Sequence, residues 1–115
     1  MHVLIVDDDV RILRFVATSL KLAGHTVCTA TCGEDALKLA ESDKPDVMVL
    51  DILMPEVDGF EVLRRLRDVS KLPVVAISAH SSSGEKAVKQ GANVFLAKPF
   101  KPDELIRLIT SLPVV

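Results

Sequence analysis

Tryptophan and tyrosine are both absent from this chain, four phenylalanines make up its aromatic content, and cysteine occurs only twice. Cys28 and Cys32 lie close together with no second pair, which fits neither a disulfide framework nor a zinc site. Both are expected to be reduced and structural. An excess of charge of one sign is also missing. Fourteen basic residues against sixteen acidic ones leave a net charge of -2, so the broad positive field used to hold nucleic acid is absent and no direct contact with DNA or RNA is expected. Uninterrupted apolar runs reach only about five residues, far below the ~18 that span a bilayer, and the N-terminus lacks the basic-then-apolar layout of a signal peptide. The expectation is a cytoplasmic protein with no membrane contact. No linker, low-complexity tract or second domain is evident.

What is present is a size and a rhythm. A chain of 115 residues with 49% apolar content has the dimensions of one domain, here residues 1–115, large enough to bury a real core. Five short runs rich in Val, Ile and Leu recur along it: VLIV (3–6), HTVCTA (25–30), VMVL (47–50), PVVAIS (73–78) and VFLA (94–97). They mostly do not alternate with polar residues, which is how parallel strands covered on both faces read. Between them the apolar positions follow helical spacing: Ile12, Val16 and Leu20; Ala36, Leu37 and Ala40; Val62, Leu63 and Leu66; Leu105, Ile106, Leu108, Ile109 and Leu112. A short, weakly apolar helix is expected inside GEKAVKQG. Asp9 and Asp58 suit N-caps of the first and third helices, and Pro102 suits the first turn of the last. Gly24 and Gly91 stand where helices should stop. Strand and helix alternating five times implies a parallel sheet between two layers of helices.

In such a sheet, functional groups gather beyond the carboxyl ends of the strands. Asp7 and Asp8 follow the first strand, Asp51 the third and Lys98 the fifth, while Ser78 ends the fourth. Two like charges 4 Å apart repel by ~4 kcal/mol at an effective dielectric of 20, so three gathered acids cost stability unless a cation offsets them. An all-oxygen donor set with few carboxylates suits Mg²⁺ better than a Ca²⁺ cage. Lys98 adds a mobile positive charge and Ser78 a hydrogen-bond donor, a combination suited to a phosphoryl group.

The segments LIVDDD, VLDILMPEVDGFEVL, ISA and AKPF, in that order and each at its own strand, together resemble the receiver domain of bacterial response regulators. The resemblance covers essentially the whole chain. It implies a flavodoxin-like, doubly wound (βα)5 fold with strand order 2-1-3-4-5, an arrangement for which a member of this family is a standard illustration. It further implies that Asp51 accepts a phosphoryl group from the phosphohistidine of a sensor histidine kinase or phosphotransfer protein. Asp7, Asp8, Asp51 and the backbone carbonyl of Leu53 would then hold Mg²⁺, for which Mn²⁺ can substitute, and Ser78 and Lys98 would complete the catalytic set. The Lys98–Pro99 peptide bond would be cis. Phosphotransfer and autodephosphorylation would be self-catalysed by a signalling domain rather than an enzyme. Ser78 and Phe95 would form the switch that reshapes the surface of helix four, strand five and helix five toward a downstream effector domain or target, with a phosphorylation-dependent homodimer left open. Many relatives carry tyrosine where Phe95 stands, and Phe95 has no phenolic hydroxyl to donate. The Ser78 to Lys98 span is short for the family, so helix four is expected to be abbreviated.

Two other classes compete. Asp7-x-Asp9 resembles the motif of Mg²⁺-dependent aspartate-nucleophile phosphatases of the haloacid dehalogenase class, but Arg11 occupies the place of a small hydroxyl residue, and no late acidic pair or cap follows. A receiver-like interaction module without the chemistry would not need the complete set of acids, hydroxyl and lysine. His2, His25 and His80 are scattered, share no ligand spacing and read as structural or exposed. His80, two residues after Ser78, is placed to influence access of water to a phosphoryl group. Whether the chain is a stand-alone regulator or a piece of a longer protein is open.

Overall fold

Among the described residues ten elements alternate strictly: β1 (His2–Val6), α1 (Val10–Leu22), β2 (Thr26–Ala30), α2 (Gly33–Ser42), β3 (Val47–Asp51), α3 (Gly59–Arg67), β4 (Val74–Ser78), α4 (Ser83–Lys89), β5 (Val94–Ala97) and α5 (Pro102–Ser111). The computed structural model describes residues 1–54 and 58–112. Positions 55–57 of the DILMPEVDG segment and the last three of the expected 1–115 domain lie outside the described residues. All strand pairs are parallel, in the order β2-β1-β3-β4-β5. This is the flavodoxin-like fold and strand order that the family resemblance implied, built as the parallel sheet between helices that the alternation implied.

Continuous apolar runs become central strands because both of their faces need cover. Leu4, Val6, Met48, Leu50, Val74 and Ala76 face one core with Ala36, Val62, Leu63, Leu66 and Ala87 of α2, α3 and α4. Val3, Ile5, Val47, Val49, Val75 and Ile77 face the other, under Leu13, Val16 and Leu20 of α1 and Leu105 and Ile109 of α5. Each fully buried aliphatic side chain contributes ~1.5–3 kcal/mol of transfer free energy, so the two cores together hold the strand ends in fixed register.

Helix ends follow their local chemistry. The Asp9 carboxylate accepts from the N–H of Arg11 at 2.9 Å, and that of Asp58 accepts from Phe60 and Glu61 at 2.6 and 3.2 Å. Gly24 and Gly91 follow the caps of α1 and α4 with φ of 94° and 114°, a left-handed turn that glycine adopts without penalty. Gly59 has a different reason. A Cβ there would stand 2.5 Å from the Ile52 Cα and 2.6 Å from the Asp51 carbonyl oxygen, so only glycine lets α3 start against the end of β3. As expected, α4 is the shortest helix, with seven residues. No helix among the described residues is long and apolar enough to cross a membrane.

Candidate functional site

Two strand ends deliver three acids to one point. β1 and β3 are neighbours in the sheet, so the residues after Val6 and Leu50 emerge side by side. Carboxylate oxygens of Asp7, Asp8 and Asp51 all lie within 4.8 Å of one another. Asp7 is fully buried and Asp51 only 4% exposed, whereas Asp8 faces solvent. The pleat explains the contrast, since successive side chains leave a strand on opposite sides.

Lys98 ties the group together. Its Nζ donates to Asp7 Oδ2 at 2.8 Å and to Asp51 Oδ2 at 3.3 Å, and the following peptide bond to Pro99 is cis. Asp7 Oδ1 also accepts from the Asp9 N–H at 3.0 Å, and Asp51 Oδ1 from the Leu53 N–H at 3.2 Å. Burial, reinforced by the Asp7 charge, pushes the Asp51 carboxyl up from 3.8 to about 6, against the opposing pull of Lys98 and the Leu53 N–H. Burial alone would lower the Lys98 ammonium, but its bonds to Asp7 and the charges of both acids outweigh that and hold it above its ordinary value. At neutral pH the lysine is therefore charged. Three carboxylates against one ammonium leave a formal charge of -2 at the rim, the amount a divalent cation neutralises, and every donor is a hard oxygen. The residues present thus fit Mg²⁺.

Ser78 is fully buried at the end of β4, and its Oγ accepts from the His80 N–H at 3.0 Å. Lys98 and Ser78 come from adjacent strands, joined by the Lys98 N–H donating to the Ser78 carbonyl at 2.8 Å. Phe95 is half-buried on β5, where it packs on the α2–α4 side core. Its ring lies over Gly84 of α4, close enough that a Cβ on Gly84 would meet Cδ2 at 2.8 Å. Leu53 is 45% exposed beside the acids. The structure thus brings Asp7, Asp8, Asp51 and Lys98 into one cluster, sets Ser78 on the strand beside Lys98, and places Phe95 farther along β5. Asp9 takes no part, because its carboxylate is used at the α1 cap. That removes the second acid of the phosphatase alternative.

The three histidines share no ligand group among the described residues and both cysteines are free, but His2 and Cys28 meet Asp43 in a second group of potential ligands that the sequence reading did not find. Residues far apart in sequence carry no spacing signal. The clue available was topological, because strand order 2-1 sets His2 and Cys28 on adjoining strands.

Comparison with known proteins identifies the family. A family model described as the response regulator receiver domain matches residues 3–110. The probable transcriptional regulator ycf27 of Cyanophora paradoxa is 37% identical over 112 residues, which are 96% of this chain and 47% of that protein. Response regulator SaeR of Staphylococcus epidermidis is 39% identical over 108 residues, 91% of this chain and 47% of its own length. The chain spans about half the length of the curated relatives it matches. Among solved structures, the Francisella response regulator 1452 receiver domain superposes with a TM-score of 0.88 at 35% identity, covering 95% of this chain and 93% of that one. Vibrio cholerae chemotaxis protein CheY4 gives 0.90 at 31% identity, covering 97% and 98%. Matches of that extent, meeting a fold and a strand-end chemistry reached from the residues themselves, place this chain in the response regulator receiver domain family of two-component signalling systems.

Proposed function

We propose that residues 1–115 form a single receiver domain that accepts a phosphoryl group on Asp51. One observation carries the proposal: a buried carboxylate, Asp51, shares an ammonium with Asp7, and its oxygens lie within 4.8 Å of those of Asp7 and Asp8. The donor is the phosphohistidine of a sensor histidine kinase or phosphotransfer protein. An Asp51 oxygen attacks phosphorus in line, the P–N bond breaks, and its electron pair returns to the imidazole, leaving an acyl phosphate. Lys98 is placed to give up part of its contact with Asp51 and follow the charge that spreads over the phosphoryl oxygens. The Ser78 hydroxyl keeps its hydrogen free to donate to one of them, because Oγ acts as acceptor toward His80.

Asp7, Asp8, Asp51 and the Leu53 carbonyl would hold Mg²⁺, or Mn²⁺ in its place. When bound, the ion supplies positive charge that neutralises the acids and the incoming phosphoryl oxygens. Movement of Ser78 toward the phosphoryl group draws on Phe95 and changes the α4–β5–α5 surface, which signals to an effector domain or a target protein, or pairs two copies. The names of the relatives make a transcriptional effector the natural output. The domain acts in the cytoplasm, as a switch rather than a turnover enzyme.

The test is direct. Incubation with Mg²⁺ and acetyl phosphate should raise the intact mass by one phosphoryl group, and EDTA or Asp51→Asn should abolish the gain. An adduct that survives in Asp51→Asn, or turnover of a phosphomonoester that depends on Asp7 and not Asp51, would point to the phosphatase alternative instead.

A further inference from the structure

The opposite rim of the sheet holds ligands of another kind. In the β1/β2 register His2 stands opposite Thr26, and Leu4 opposite Cys28. His2 and Cys28 therefore project from the same face, the one α2 covers. Asp43, which caps the C-terminus of α2, meets them there. Ligand atoms of His2, Cys28 and Asp43 all lie within 4.8 Å of one another. His2 Nε2 is 2.6 Å from Asp43 Oδ2, and His2 Nδ1 is 2.7 Å from Thr26 Oγ1.

The group is held firmly yet can be reached. The His2 N–H donates to Asp46 Oδ2, and the Asp46 N–H donates back to the His2 carbonyl, both at 2.7 Å. His2 and Cys28 are half-buried while Asp43 is exposed. Asp43 also sits at the negative end of α2 with no basic residue in the last turn, a place where the helix dipole disfavours an acid and favours a cation.

We propose that His2 Nε2, Cys28 Sγ and the Asp43 carboxylate bind a transition-metal ion of the Zn²⁺ type, with water in the fourth position. Imidazole, thiolate and carboxylate are ligands Zn²⁺ takes, at about 2.0–2.3 Å, and Mg²⁺ has no use for sulfur or imidazole. The two ends of the sheet thus sort ions by donor chemistry. The charges close as well, since one thiolate and one carboxylate neutralise a dication beside a neutral imidazole. On binding, the Cys28 S–H proton leaves to solvent as the S–metal bond forms. His2 adopts the tautomer whose Nδ1–H donates to Thr26, which frees the Nε2 lone pair. The bound ion would join the first residue of β1, the edge strand β2 and the end of α2.

Co²⁺ titration of the untagged chain with Mg²⁺ saturating tests this. The expected result is one equivalent of Co²⁺ bound with a thiolate-to-cobalt charge-transfer band, bleached by Zn²⁺ and accompanied by proton release. Cys28→Ser should abolish the band, and His2→Gln and Asp43→Asn should each weaken binding at least ~10-fold, while Cys32→Ser and Asp51→Asn keep it. Thr26→Val, which leaves all three ligands in place, should cost about 10-fold in affinity through loss of the Nδ1 partner. Absence of the band in the folded wild-type chain overturns the proposal, as does a band that survives Cys28→Ser. Should Cys28→Ser not fold, unchanged Co²⁺ affinity in folded His2→Gln gives the same refutation.

Discussion

Asp51 and Asp43 are the same residue type at opposite ends of one sheet, and their carboxyls are displaced in opposite directions. At the carboxyl rim Asp51 is 4% exposed beside a second buried acid, and burial followed by the Asp7 charge pushes it up to about 6. At the amino rim Asp43 stands in solvent and accepts from His2 and then Cys28, which hold it below its ordinary value. Water and donors decide the outcome, not the residue. The carboxyl rim is left short of compensation, whereas the Asp43 carboxylate already has partners in His2 and Cys28. The stability cost of function should therefore fall on one end of the molecule only.

Removing Lys98 breaks that contrast most strongly. The Lys98 side chain is 16% exposed and its ammonium is the cation that Asp7 and Asp51 share. Lys98→Ala leaves two buried acids facing each other, and loss of one partner from a buried pair typically costs ~3–5 kcal/mol. Urea unfolding of the metal-free protein at pH 7 should show that loss. Saturating Mg²⁺ should recover most of it by neutralising the acids, and acidification toward pH 4 should recover the part due to Asp51, whose carboxyl is raised to about 6. A loss that is the same at both pH values would mean Lys98 contributes packing rather than charge.

Asp51→Asn should have the opposite sign. A carboxyl raised from 3.8 to about 6 binds its proton more tightly in the folded protein than in the unfolded chain. Between about pH 4 and 6 the unfolded chain loses that proton first, so stability falls as pH rises through this window and stays low above it. The interval corresponds to ~3 kcal/mol at about 1.36 kcal/mol per pH unit, an upper bound because the Asp7 and Lys98 charges act on Asp51 throughout it. Asn keeps the shape without the charge, so the variant should be more stable than wild type at pH 7 and equal to it at pH 4. Equal stability at pH 7 would remove the claim that Asp51 is held at a cost.

These effects concern residues whose placement could be read in advance, and the reason is topological. Parallel strands joined by helices all point the same way, so the residues following Val6 and Leu50 and the hydroxyl at Ser78 had to share an edge. Strand limits came within a residue or so: β1 starts at His2 rather than Val3, and β4 starts at Val74 rather than Pro73. Burial within the cluster was harder. Asp7 and Asp8 are adjacent and chemically identical, and only the pleat sends one inward and the other to solvent. Contacts made by long side chains across the fold were not legible. Arg67 donates to the Gly91 and Ser70 carbonyls and to Asn93 Oδ1, yet its neighbours Arg64 and Arg65 pair with Glu61 and Glu34. The pairing of His2 with Asp43 spans 41 residues and needed the end of α2 to be set over β1 and β2.

Asp8 offers a smaller effect that sharpens the comparison within the carboxyl rim itself. It is exposed, so repulsion from Asp7 and Asp51 acts largely through water, where charges 4 Å apart interact by ~1 kcal/mol. Asp8→Ala should leave the metal-free protein as stable as wild type or up to ~1 kcal/mol more so. Mg²⁺ affinity should drop by about 10-fold or more on removal of a ligand, read by the Mg²⁺ dependence of the same urea midpoint. A loss beyond ~2 kcal/mol without metal would instead mark Asp8 as structural.

The smallest effect belongs to the amino rim. His2→Gln, measured without transition metal, removes one donor to an exposed carboxylate that water can replace. Because the bond lowers the Asp43 carboxyl, its contribution is present above that group's ordinary 3.8 and fades as pH falls below it. The urea midpoint at pH 7 should move by less than ~0.5 kcal/mol in equivalent stability. The rate and extent of phosphoryl transfer to Asp51 should not change. The five residues of β1 put roughly 16 Å between the two rims at ~3.3 Å per residue, well beyond the Debye length of ~8 Å in physiological salt. A slowed transfer in His2→Gln would show that the rims are coupled through the sheet, and the independence on which their comparison rests would be lost.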